Sequence, residues 1–368
     1  MTTALVHSDA YRRFDYGPEH PLRMERLGLT HALMEAYGLT TGPGIRPIAP
    51  APATETALLG FHTAEYLAVL RAADAGHDVP GAARYGLGPG DNPIWPGCYE
   101  ASVLACGGSI QAAELVGAGS VARAFAFAGG LHHAMPDRAS GFCYLNDAVL
   151  AIRALRARGV RVLYVDIDAH HGDGVQAAFY DQAEVLTISI HERGDRLFPG
   201  TGSVEELGVG AGRGYSVNLP LHPYTDDAVY LEAFDAVVPR VASAFRPDVV
   251  VAQLGIDSHR TDPLTHLALT VDGFAEAVRR ILRIAPRLVA LGGGGYDLAN
   301  VARAWTVAWA LMNGRTLEAQ LPEVFVALAA GHLAGRRELW DPPQPLPLEV
   351  ARTAREFAQR QVAALERS

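Results

Sequence analysis

Lysine is absent from these 368 residues, so all 31 basic side chains are arginine. Without lysine there is no Walker A loop to grip nucleotide phosphates and no Schiff-base chemistry on a side-chain amine. Cysteine is scarce: Cys98, Cys106 and Cys143 form an odd set with no CxxC spacing. That argues against a disulfide framework or a zinc ribbon and fits a reducing compartment, with the three thiols in the core. No apolar run reaches the roughly 18 residues of a membrane span. The start, MTTALVHSDAYRRFDYG, lacks a charged stretch followed by an apolar one, so no membrane partner and no secretory leader are expected and the reading is cytoplasmic. Charge is also sparse, at 19% of residues with a formal net of -9 and no basic block. Nucleic acid is therefore not an expected partner, and an acidic surface suits a neutral or cationic substrate.

What the chain does have is 49% hydrophobic residues, enough for a large core. Short apolar runs at 121–128, 161–167, 184–190, 248–254 and 287–291 read as strands buried on both faces, as in parallel sheets. Helical stretches at 20–37, 54–74, 97–116, 144–158, 226–245, 271–284 and 297–313 alternate with them. The pattern predicts an open α/β sheet flanked by helices, in a single domain over 1–368. The proline-rich WDPPQPLPLEV at 340–350 and a helix at 351–366 read as peripheral.

The polar residues fall where strands end. VARAFAFA runs into GGLHH, RVLYVDI into DAHHGD, DVVVAQL into GID and RLVAL into GGGGYD. In open α/β sheets ligands bind beyond the carboxyl ends of the strands, so four such ends predict one site. Within VDIDAHHGDG, Asp166, Asp168 and His170 share one side if the segment stays extended. With Asp257 they offer two carboxylates and an imidazole to a divalent metal, leaving a position open for water; the alternative is a hydrogen-bonded polar cap on the sheet. Adjacent His132 and His133 require acceptors to set their tautomers, and Asp166 and Asp173 are the available ones. Each Asp–His pair then resembles the orienting half of a triad. GGGGYD departs from GxGxxG at Asp297, so a phosphate loop is disfavoured; its glycines let the backbone approach a cavity and aim Tyr296 into it. A glycine-rich packing turn with a core tyrosine is the other reading. His31, His62 and His222 have no converging partners and read as structural or surface groups, while Phe142 and Phe198 fit core and pocket wall equally.

Together, GGLHHAMPDRASGFCYLNDA, YVDIDAHHGDGVQAAFY, FPGTG, QLGID and LGGGGYDLANVARAW resemble the zinc-dependent histone deacetylase superfamily, class I type, including its bacterial acetoin-utilisation branch. The likeness runs in order over about residues 16–315. It implies an arginase-like domain with a parallel sheet of about eight strands. It also implies zinc on Asp168, His170 and Asp257, with Fe2+ tolerated by the same hard donor set. His133 corresponds to the general base and acid, paired with Asp173, and His132 to its electrostatic partner, paired with Asp166. Tyr296 corresponds to the group that polarises the scissile carbonyl. Gly141, Phe142, Phe198, Leu264 and Gly294 correspond to a narrow acyl-lysine channel, and Arg26 to the lining of an internal acetate channel.

The same resemblance implies K+ at two places. An inner site takes the side chains of Asp166 and Ser189 and main-chain carbonyls of Asp168, His170 and Ile190. An outer one uses Phe179, Gln182, Val185 and Tyr215. Asp91 corresponds to the substrate-backbone clamp, displaced by one residue in YGLGPGDNP. The segment after Asp257, SHRTDPL, departs from the family pattern by introducing His259 and Arg260, residues able to alter the channel rim. Leu264 stands where polyamine deacetylases carry an acidic gatekeeper, which disfavours acetylpolyamines. The expected activity is hydrolysis of short acyl groups from lysine in proteins or peptides. Deacetylation of small amines, a two-manganese ureohydrolase and a non-catalytic acyl-lysine reader are the competing readings; the intact His133 and Tyr296 speak against the last.

Overall fold

Eight strands, all parallel, build the centre of the molecule in a computed structural model that describes residues 2–367. They are β1 (Thr3–Val6), β2 (Ile45–Ile48), β3 (Arg123–Ala126), β4 (Val162–Asp166), β5 (Val185–Glu192), β6 (Ser216–Leu221), β7 (Val249–Gln253) and β8 (Leu288–Leu291). Their order across the sheet is β2-β1-β3-β8-β7-β4-β5-β6. The four strands that run into the polar motifs, β3, β8, β7 and β4, are therefore the four adjacent central ones. Residues 123 to 291 along the chain are brought side by side, and every neighbour being parallel puts their carboxyl ends on one edge.

The five apolar runs correspond to β3, β4, β5, β7 and β8, with β5 running two residues past its run, to Glu192. Three strands escape that reading for identifiable reasons. The strand β2 is half exposed and carries Pro47, and β6 carries Pro220; both lie at the sheet edges, where proline costs no ladder bond. The strand β1, four residues long like β3 and β8, has no glycine-rich motif after it to mark its end. The predicted helix 54–74 is in fact two, Glu55–Leu58 and Ala64–Asp74, because Thr54 and Thr63 each cap a new start by accepting from the amides of Ala57 and Tyr66.

Apolar layers cover both faces of the sheet. One holds Leu163, Val165, Ile188, Trp305 and Trp309; the other holds Val162, Tyr164, Val251, Val289 and Ile152. This sandwiching is why the central strands are apolar on both sides, and it fixes their loops on a rigid base.

The carboxyl-terminal segment is more firmly held than a peripheral reading implies. Asp341 is nearly inaccessible, with Oδ1 accepting from Arg303 Nη2 at 2.9 Å and Oδ2 from His259 Nε2 at 2.9 Å. The final helix, Leu348–Arg367, packs on Asp227–Phe245 and on β6 through Ala354 and Ala358.

Candidate active site

Beyond β4 the chain stops being extended, so the side chains do not converge by strand alternation. Two turns do it instead: Asp166 Oδ1 accepts from the Asp168 amide at 3.1 Å, and Asp168 Oδ1 from the His170 amide at 3.0 Å. An aspartate that binds the amide two residues on closes a turn with its own side chain. Each carboxylate thus shapes the loop and stays inside the site.

Asp168, His170 and Asp257 present three ligand atoms within 4.8 Å of one another. His170 Nδ1 lies 2.8 Å from Asp257 Oδ2 and 3.1 Å from Asp168 Oδ1. Both carboxylates are buried, and no arginine faces them within ion-pair distance among the described residues. Two buried anions need a cation. A divalent ion fits this donor set, two carboxylates and one imidazole. Without one, the imidazole serves: burial opposes its charge, but Asp257 and Asp168 outweigh burial and hold His170 well above its usual range. The glycines make room. A Cβ on Gly294 would stand 2.0 Å from Asp257 Oδ2, and the Gly294 amide donates to Asp168 Oδ2 at 2.7 Å.

The two histidines after β3 are sorted by their neighbours. His132 Nδ1 meets Asp166 Oδ2 at 2.8 Å, His133 Nδ1 meets Asp173 Oδ1 at 2.7 Å, and the two Nε2 atoms lie 2.9 Å apart. Burial lowers both, yet Asp166 and Asp168 reverse this for His132, raising it to about 9. For His133, burial and the charge of His132 together bring it down to about 4. Burial also pushes the Asp166 carboxyl up. We assign it as the anion because Tyr164 Oη, His132 Nδ1 and the Asp168 amide all converge on it. At neutral pH His132 is then a cation donating from both nitrogens. His133 is neutral, protonated on Nδ1 toward Asp173, and its Nε2 lone pair accepts from His132 Nε2–H at the edge of the cavity.

That cavity, about 20 Å3, is lined by both histidines, Asp168, His170, Gly141, Phe142, Gly294, Tyr296 and Arg26 among others. Burial and the charges of Asp257 and Asp168 hold the Tyr296 phenol far above its usual range, so it remains an O–H donor. The ring stands edge-on to Phe142 at 5.7 Å. Phe198 is edge-on to His133 at 5.0 Å and 42% exposed, placing it at the mouth. Leu264 is half-buried on the loop after Asp262 and does not reach the inner cavity. Asp91 is exposed; its carbonyl meets His20 Nε2 at 3.2 Å, and His20 packs on Phe142 at 4.6 Å. Arg26 is buried, donating from Nη1 to the Gly295 carbonyl at 3.0 Å.

Of the residues matched to K+, the Ser189 hydroxyl lies 2.9 Å from His191 Nδ1, and Ile190 and Val185 are buried in β5. The Phe179 and Tyr215 carbonyls accept from Gln182 and Thr187 amides, each keeping a second lone pair. His259 and Arg260 are both drawn toward the carboxyl-terminal segment. His259 turns away to Asp341, and Arg260 donates to the Pro342 carbonyl at 2.9 Å.

Several supporting groups were not singled out from sequence. Asn146 caps the helix Asp147–Arg156 and donates to the carbonyls of His132 and Ala134, both at 3.0 Å. Asp147 accepts from Ser109 and from the Gly130 and Leu131 amides, pinning the GGLHH turn. Gln253 Nε2 donates to Asp168 Oδ2 at 2.7 Å and the Gly130 carbonyl at 3.2 Å. Asp262 accepts from the Tyr296 amide at 2.8 Å. The signal for Asn146, Asp147 and Gln253 was a polar residue at the edge of an apolar run; Asp262, within SHRTDPL, carried none.

Comparison with known proteins agrees with this geometry. A family model described as the histone deacetylase domain matches residues 20–312. The acetoin utilization protein AcuC of Bacillus subtilis is 41% identical over 320 residues, 85% of this chain and 82% of that one. Histone deacetylase 8 of Xenopus tropicalis is 42% identical over 300 residues, 81% of this chain and 80% of that one. The crystal structure of an HDAC homolog from Aquifex aeolicus superposes with a TM-score of 0.88 at 34% identity, covering 97% of this chain and all of that one. The same values hold for an HDAC homolog complexed with SAHA. With the fold, the buried donor triad and the paired histidines in place, these matches establish that the chain belongs to the histone deacetylase family of hydrolases.

Proposed function

We propose that this deacetylase removes acetyl and related short acyl groups from the Nε of lysine in proteins or peptides, in the cytoplasm. The observation that carries the reading is the meeting, at one narrow cavity, of Asp168, His170, a neutral His133 and Tyr296, with buried Asp257 completing the donor triad. Zinc is the ion we assign to the triad, with Fe2+ acceptable to the same oxygen and nitrogen donors. Held there, it would polarise the acyl carbonyl and make an attacking water more acidic.

The side chains divide the remaining work. Asp173 holds the Nδ1 proton of His133, so Nε2 stays its basic atom; exchanging the His132 Nε2–H donor for the attacking water, that lone pair takes the proton. The new C–O bond leaves charge on the carbonyl oxygen, and the Tyr296 hydroxyl donates to it. His133 then returns the proton to the departing amine nitrogen as the C–N bond breaks, giving a free lysine and a carboxylate. His132, charged and anchored on Asp166, keeps positive potential beside that oxygen and holds His133 neutral. Phe142, Phe198, Gly141 and Leu264 are assigned to the acyl-lysine channel, Asp91 to the substrate backbone, and Arg26 to the released acid. Both K+ assignments belong to the same proposal, the inner one placing a cation behind Asp166 and Ser189.

The test is turnover of acetyl-lysine peptides and acetylpolyamines by the purified chain, with chelator and after readdition of zinc or ferrous iron. Peptide deacetylation that chelator abolishes and metal restores is expected. Turnover of acetylpolyamines alone would overturn the substrate class.

A further inference from the structure

The carboxylate of Glu192, the last residue of β5, is fully buried. Its Oε2 accepts from the His266 amide at 2.8 Å, and its Oε1 lies 3.1 Å from His266 Nδ1. No arginine pairs with it within 4.0 Å among the described residues. A buried anion must be balanced from somewhere. Since a carboxylate only accepts, the proton of that contact sits on Nδ1, and the Nε2 edge of the half-exposed imidazole is the outward one.

This edge opens on a cavity of about 400 Å3, walled by Glu192, Arg196, His222, Pro223, Tyr224 and His266. Tyr224 has φ 64, a left-handed conformation uncommon for an aromatic residue, and the residue is 50% exposed. Its amide is held by the His266 carbonyl at 2.6 Å and its ring is edge-on to His266 at 6.5 Å. Strain spent to hold an aromatic ring in water beside the imidazole that carries a buried anion points to recognition. Tyr224 and His266 also wall a larger neighbouring cavity of about 740 Å3, which contains Asp226 and runs under Pro343–Pro347.

The cavity is coupled to the reaction site by backbone. The Glu192 amide donates to the carbonyl of Ala169, between Asp168 and His170, and the Thr265 hydroxyl donates to the carbonyl of Asp257. Resting on the acyl-lysine reading above, we propose that Glu192, His266 and Tyr224 form a subsite for a second positive charge carried by the substrate. That charge is a guanidinium or ammonium on a residue flanking the acylated lysine. The buried carboxylate supplies negative charge through the imidazole, the Tyr224 ring offers its face to a cation, and the adjoining groove, lined by Asp226, Asp227 and Arg260, accommodates the rest of a peptide. The exposed Arg196 stands on the same wall and favours the opposite sign, so the two outcomes separate cleanly.

The experiment compares kcat/KM of the full chain on acetyl-lysine peptides that differ only in a flanking arginine, citrulline or glutamate, at low and high salt. A preference for arginine over citrulline of roughly five- to fiftyfold is expected, the range of a partly desolvated, charge-assisted hydrogen bond. It should shrink with salt, and it should collapse toward unity in Glu192→Gln and fall in Tyr224→Asn, whose new residue tolerates the left-handed backbone. The ratio of the two substrates is a readout that a merely structural loss would not move, and the wild-type comparison decides even if Glu192→Gln does not fold. Equal rates on arginine and citrulline peptides, or a preference for glutamate, overturn the subsite while leaving the deacylase reading intact. No turnover of any peptide removes both. Higher efficiency on a monoacetylated polyamine than on the arginine peptide would assign the charge to a small amine instead.

Discussion

His62 illustrates how a residue that looked incidental sets a boundary on stability. Its ring is buried, with Nδ1 donating to the Met135 carbonyl at 3.1 Å and Nε2 accepting from the Asn146 amide at 3.1 Å. Burial lowers it from 6.5 to about 4, so the folded state keeps it neutral. The unfolded chain binds the proton first. Stability is therefore complete above pH 6.5, falls as pH drops below it, and stops falling near pH 4; the loss is about 3 kcal/mol at 1.36 kcal/mol per pH unit. Urea titrations between pH 7 and 4 should show that slope reduced in His62→Gln. Gly294 makes a prediction of another kind. A methyl group there would displace the Asp257 carboxylate, so Gly294→Ala should weaken metal affinity by about 10- to 100-fold in a competition titration while leaving the circular dichroism spectrum unchanged. At this scale the sequence showed which residue types gather at strand ends. It could not show that Glu192 is buried or that His259 faces Asp341, because both depend on what packs opposite.

Among the elements, the five apolar strands were readable because burial on both faces leaves no polar alternation to interpret. The edge strands were not, since Pro47 and Pro220 are tolerated only where a ladder is missing, and nothing local announces an edge. The helix Asp147–Arg156 shows a cap that also serves the site. Asn146 Oδ1 accepts from the Val149 amide at 3.0 Å while its Nδ2 holds the two carbonyls flanking His133. Asn146→Ala should cost about 1–3 kcal/mol in chemical denaturation, from a lost cap and unpaired buried carbonyls. It should also lower kcat more than it raises KM, because the histidine loop loses its tether. The turns after β4 mark where the strand-alternation reading failed: side chains that bind their own backbone look the same in sequence as side chains waiting for a ligand.

Over the whole molecule, the parallel order that sets β3, β8, β7 and β4 side by side is what turns four separate motifs into one site. The carboxyl-terminal segment is locked to this base: Asp341 joins Arg303, His259 and the Val271 amide, which lie on three different segments. Asp341→Ala leaves a buried guanidinium without its carboxylate and should cost about 3–5 kcal/mol, seen as a lowered Tm of the entire fold rather than release of the last helix alone. The central claim is that a metal held by Asp168, His170 and Asp257 acts together with His133 and Tyr296 on an acyl-lysine amide. Its most direct test is kcat on an acetyl-lysine peptide, measured with bound-metal content, for the wild-type chain, His133→Ala and Tyr296→Phe. One divalent ion per chain in all three, with kcat lower by about 100-fold or more in each variant, is the predicted result; an undiminished rate in metal-loaded His133→Ala would contradict it.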